Sequence, residues 1–174
     1  MPNRPMPRKS FALLAAAFSL AACAGEPRRA EPASPAVARA LAAVRLDPAQ
    51  AAATFNAYRA SLGLAPLRLD PALSAMAQRQ ADAMVAANSM SHELGGGFSA
   101  RLYASGVKFT EAGENLGGGY HSTDEAFVGW RHSPEHDANL RLAHATHFGV
   151  ALAKDPQTRY RVYWAMEVAA ERLP

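Results

Sequence analysis

The sequence predicts an α+β domain in which helices lead and antiparallel strands close the chain. Three observations carry this. Two Asp-Pro pairs, Asp47-Pro48 and Asp70-Pro71, each precede apolar residues at helical spacing. Ser122 and Glu125 form a capping box. The last third of the chain alternates apolar and polar residues on either side of a turn.

After Asp47-Pro48, residues Ala51, Phe55, Tyr58 and Leu62 recur on one face until Gly63 can end the first helix. Asp70-Pro71 opens a second, with Leu73, Met76, Ala77, Gln80, Met84 and Val85 on its apolar side, running towards Asn88. Past His92, glycines 95 to 97 make a loop into a short helix over 98–105, read with Arg101 on its exposed side. Residues 109–117 suit a strand. The Ser122 box opens a helix through Trp130, and Ser133-Pro134 opens another towards Leu140. Phe148, Val150 and Leu152, a turn at 155–158, then Val162, Trp164, Met166 and Val168 read as an antiparallel hairpin. There is no internal repeat.

The front of the chain reads differently. Arg4, Arg8 and Lys9 precede an uncharged apolar run over 11–22, too short for a permanent span and suited to a secretory signal. Leu20, Ala21, Ala22 and Cys23 resemble a bacterial lipobox, which would make Cys23 the lipid attachment point. The other reading is a soluble secreted protein cut near Ala22. Cys23 is the single cysteine of the chain, so it has no disulfide partner here, and that favours the anchor. If the anchor is used, Ala24 in place of Asp resembles outer-membrane sorting in organisms with two membranes. The expected organisation is a signal over 1–22, lipidated Cys23 with a Pro/Ala-rich tether over 23–46, and one domain over 47–170.

The net charge of +3 belongs to the signal: it holds three of the 18 basic residues and none of the 15 acidic ones, so the remainder is neutral. A neutral domain gives no electrostatic warrant for nucleic acid as a partner.

Four strings stand in one order: FNAYRASLGLAPLRLD from Phe55, MSH at Met90 to His92, GENLGGG from Gly113, and WRHSPEHDANL from Trp130. A looser YWAMEV follows from Tyr163. Each is weak alone; jointly, across one domain, they are specific. Together they resemble the CAP family (cysteine-rich secretory protein, antigen 5 and PR-1; SCP-like extracellular), in its bacterial form. The resemblance implies an α/β/α sandwich with a three-stranded antiparallel sheet and a surface cleft. In that family the cleft holds two histidines and two acidic residues; His92, Glu114 and His136 occupy the matching positions. The second acid has no match, Ser133 standing in its place, which leaves Glu135 or Asp137 as substitutes. His121, His132, His144 and His147 match no site position.

Two imidazoles with one or two carboxylates can bind a divalent ion such as zinc through His92 and His136, and the same groups can move protons. They can equally form a hydrogen-bonded network that only fixes loops. The leading expectation is a non-enzymatic binding module on the envelope, taking a small ligand, lipid, peptide or metal at His92, Glu114, His136 and Glu135. The alternative is a hydrolase using Glu114, His92 and His136, with Ser91 as a remote nucleophile. His92-Glu93 begins like HExxH, but Gly96 stands where the second histidine would be. No GxSxG elbow or phosphate-loop spacing occurs. Nothing in the sequence bears on oligomeric state.

Overall fold

The computed structural model describes residues 33–106 and 108–171. The segment read as a signal, and Cys23, lie outside these.

Helix α1 spans Pro35–Ala43, α2 Pro48–Ser61, and strand β1 only Arg68–Leu69. Next come α3 (Pro71–Ala87), α4 (Phe98–Ala104) and β2 (Phe109–Gly118). Helices α5 (Thr123–Arg131) and α6 (Pro134–Leu140) lead to β3 (His147–Lys154) and β4 (Val162–Glu171). The start signals act as read: Asp47 Oδ1 accepts from Ala49 and Gln50 N–H, and Asp70 Oδ1 accepts from Leu73 N–H. At α5, Ser122 Oγ accepts from Glu125 N–H, while the Glu125 carboxylate reaches one residue further back, to His121 N–H. Asn88 ends α3 in the left-handed conformation, with φ 46°.

The sheet has four strands in the order β1-β3-β4-β2, where three were expected. The antiparallel hairpin β3–β4 and the long β2–β4 ladder are the expected part. The extra strand is β1, two residues pairing parallel with His147 and Phe148. A two-residue strand is too short to show a period.

Helices cover both faces, giving the α/β/α sandwich. Against one face pack Phe55 of α2, Phe127 and Trp130 of α5, with Phe148, Trp164 and Met166 of the sheet. Phe55 touches the Phe127 and Phe148 rings at 5.0 and 5.4 Å between centroids. Against the other lie Ala77, Ala81 and Met84 of α3, with Leu116, Tyr163 and Ala165. The central strand β4 is thus buried on both sides over 162–170.

Packing begins earlier than Asp47. Leu41 and Val44, in the segment read as tether, are 5% and 3% exposed and belong to the first core cluster. Lys154 Nζ donates to the carbonyls of Leu41 and Val44 (2.9 and 2.8 Å), binding the end of α1 to the hairpin. The apolar positions and the clamped carbonyls place α1 in the domain.

Candidate functional site

The site is built on β2, an edge strand, whose neighbouring residues Glu114 and Asn115 turn to opposite faces of the sheet. Glu114 faces the α4 side and is 5% exposed. Its Oε1 lies 2.6 Å from His92 Nδ1, and its Oε2 accepts from Arg101 Nη2. The other terminal nitrogen of Arg101 donates to the carbonyls of His92 and Leu94, both at 2.8 Å. One guanidinium therefore holds the carboxylate and the loop that presents His92. Gln80 Nε2 of α3 ties the same loop at Ser91 O (2.8 Å).

The reading of Arg101 as an exposed residue is corrected: it is 6% exposed, drawn inward by the buried carboxylate.

Facing Glu114 across the β2–β4 ladder is Glu167, 1% exposed. No donor from the described residues reaches either of its oxygens. Burial, and next the Glu114 carboxylate, push its acid well above the ordinary range, with Arg101 opposing. Two buried carboxyls side by side are compatible when one carries a proton, and the upward shift favours the protonated form of Glu167. The buried acid beside Glu114 is thus Glu167. Glu135 lies exposed on α6, and Asp137 is engaged by Tyr58 Oη (2.6 Å) and Arg141 (3.3 Å).

On the other face, Asn115 Nδ2 donates to His136 O (3.0 Å), and Asn139 Nδ2 donates to Asn115 Oδ1 (2.9 Å) and Glu114 O (3.1 Å). Trp130 Nε1 donates to Leu116 O (2.8 Å). Two residues of the WRHSPEHDANL string thereby satisfy alternate carbonyls of the edge strand. In the FNAYRASLG string, Asn56 pairs with both backbone groups of Leu67, and Arg59 donates to the carbonyls of Ala65, Leu140 and Leu142.

Of the predicted site, His92 and Glu114 are in direct contact. His136 is tied to the same strand through its backbone carbonyl, which accepts from Asn115 Nδ2, and its ring lies within electrostatic range of His92. Burial lowers the His136 pKa from 6.5, the charge of His92 lowers it further, and Glu135 opposes. The His92 side chain is 51% exposed, whereas that of Glu114 is 1% exposed. Ser91 Oγ accepts from Glu93 N–H (3.1 Å), and no imidazole touches it.

The implied metal finds few free donors here. Both Glu114 oxygens are engaged, which leaves the imidazoles of His92 and His136. Among the described residues no group of three or more His, Cys, Asp or Glu side chains is placed to hold a metal ion. The residues as arranged do not fit a resident zinc. Among the described residues no helix is long and apolar enough to cross a membrane.

The sequence pattern of the cysteine-rich secretory protein family matches residues 52–168. An uncharacterised protein of Bacillus subtilis, YkwD, is 32% identical over 98 residues, which are 55% of this chain and 38% of YkwD. The matched stretch thus spans well under half of that relative's length. Among solved structures, an extracellular protein of Bacillus anthracis containing an SCP domain superposes with a TM-score of 0.62 at 24% identity, over 73% of this chain and 45% of that one. An outer surface protein of Borrelia burgdorferi gives 0.63 at 19% identity, over 73% and 97%. These structures share the layered fold built here. With the matched pattern covering most of its length, the chain belongs to the cysteine-rich secretory protein, or CAP, family.

Proposed function

We propose that this chain is an exported, non-enzymatic CAP binding module, held to the bacterial envelope through lipidated Cys23, in the outer membrane where the organism has two. Its ligand-facing groups are the imidazoles of His92 and His136. The observation that supports this best is the engagement of Glu114: Arg101 holds one oxygen and His92 the other, which suits a carboxylate that positions the His92 loop. A hydrolase needs a nucleophile, a base and an orienting group in mutual reach. Ser91 has only a backbone N–H on its hydroxyl. The half-exposed His92 ring, held from below by a fixed carboxylate, suits recognition of a small polar ligand.

Zinc is the probe for the binding reading. Calorimetric titration of the full chain and of Glu114→Gln should show the same weak, two-imidazole binding, reduced in His92→Ala/His136→Ala. Tight stoichiometric binding that depends on Glu114 would overturn it and revive a metal-dependent activity. For the anchor, Cys23→Ser should move the protein from the membrane to the soluble fraction of expressing bacteria. Unchanged membrane retention would contradict lipidation.

A further inference from the structure

A second surface lies apart from His92 and Glu114. Between the end of β2 and α5 an open groove of about 390 Å³ is lined by Tyr120, Asp124, Glu125, Val128 and Gly129. Its size falls within the range of small-molecule sites.

The seat of Tyr120 is specific. A Cβ at Gly129 would overlap the Tyr120 hydroxyl and ring, and one at Gly117 would stand 2.9 Å from ring atom Cε2. Glycine inside a helix costs about 1 kcal/mol relative to alanine, and α5 carries Gly129 where this ring must lie. Below it, the Tyr120 carbonyl accepts from Trp164 Nε1 (2.9 Å), fixing the backbone. Among the described residues the Tyr120 hydroxyl has no hydrogen-bond partner. Val128, beside it, is 48% exposed.

The rim is acidic. Asp124 and Glu125 are both exposed. Each engages one oxygen within the protein, Asp124 Oδ1 with Thr54 Oγ1 (3.1 Å) and Glu125 Oε2 with His121 N–H (2.7 Å), and the other oxygen of each has no hydrogen-bond partner among the described residues. These carboxylates already balance the positive start of α5, so the groove is set against anions.

From the aromatic floor, the exposed valine and the acidic rim, we infer that this groove binds an organic cation with an apolar body, such as a quaternary or alkyl ammonium. The ring and Val128 bury the apolar body, the ring face attracts the positive charge, and the free oxygens of Asp124 and Glu125 pair with it. The inference is independent of the His92 site.

The test uses the full chain and three ligands of similar size: benzyltrimethylammonium, benzyl alcohol and benzenesulfonate. Binding is followed by calorimetry and by backbone NMR shifts. The cation should bind at least tenfold more tightly than either of the others, with shifts centred on Tyr120, Val128 and Gly129. Asp124→Asn/Glu125→Gln keeps an acceptor for Thr54 and for His121 N–H, and should fold with a melting temperature lowered by a few degrees, for the lost charge at the start of α5, while binding the cation at least fivefold more weakly. Gly129→Ala should displace Tyr120 and abolish binding. The inference is overturned if benzyl alcohol or benzenesulfonate binds as tightly as the cation, if the neutralised rim leaves cation affinity unchanged, or if the shifts lie elsewhere.

Discussion

Glu114 and Glu167 are register partners on adjacent strands, both buried, with Arg101 bonded to the first and no donor from the described residues on the second.

Glu167 binds its proton more tightly in the folded state than in the unfolded chain. Its contribution is therefore full below the ordinary carboxyl value of 4.5 and is lost as pH rises from there towards the higher folded value. Glu167→Gln, which mimics the protonated acid, should be more stable than the parent at pH 8 by roughly 1–3 kcal/mol, with little difference at pH 4.5. Urea unfolding at the two pH values checks this.

Arg101 should be the costliest residue of α4 to lose. Arg101→Leu strands the Glu114 carboxylate and frees the carbonyls of His92 and Leu94, for a loss of about 3–5 kcal/mol. Arg101→Lys should recover only part of that, because one ammonium cannot reproduce the fork that spans all three acceptors. Denaturant midpoints of the two variants give the comparison.

Arg101 and Glu167 also mark where the sequence was least readable. The helices announced themselves through local chemistry: Asp-Pro caps at Asp47 and Asp70, and the Ser122 box. Arg101 sits in a seven-residue helix whose apolar period is too short to assign a buried face. What pulls it in is Glu114, a partner supplied by tertiary packing. Glu167 lies in a strand whose alternation, Val162, Trp164, Met166, Val168, reads as one buried face and one solvated face. Helix α3 covers the second face, so the intervening polar position is buried too. His92 and Glu114 were legible through the motif strings, but their relation to His136 was not. Glu114 and Asn115 are adjacent, and the pleat sends them to opposite sides.

His136 should titrate below 6.5, and His92→Ala should raise its value, since the charge of His92 is one of the causes of the depression. The sign for stability is opposite to that of Glu167. The unfolded chain protonates first, so the parent loses stability as pH falls from 6.5 towards the folded value, below which the loss is constant. Imidazole NMR titration of both chains reads the shift directly.

Arg59 tests the structural reading of the first motif string. It is 1% exposed, and it bridges the end of α2 to the carbonyls of Leu140, the last residue of α6, and of Leu142. Arg59→Met preserves much of the volume and removes all three hydrogen bonds, so it should cost roughly 2–4 kcal/mol. The zinc response of His92 should stay unchanged once the variant is folded, as followed by calorimetry.

The central claim is that Glu114 is a structural anchor. The most direct measurement is the unfolding free energy of Glu114→Gln at pH 7 against the parent. The account predicts a loss of about 1–3 kcal/mol, because Gln replaces the charge-assisted bonds to Arg101 and His92 by weaker neutral ones, with Glu167 then the one carboxyl beside the guanidinium. Stability equal to the parent, or higher, would contradict it and identify Glu114 as a carboxylate kept for chemistry at the expense of the fold.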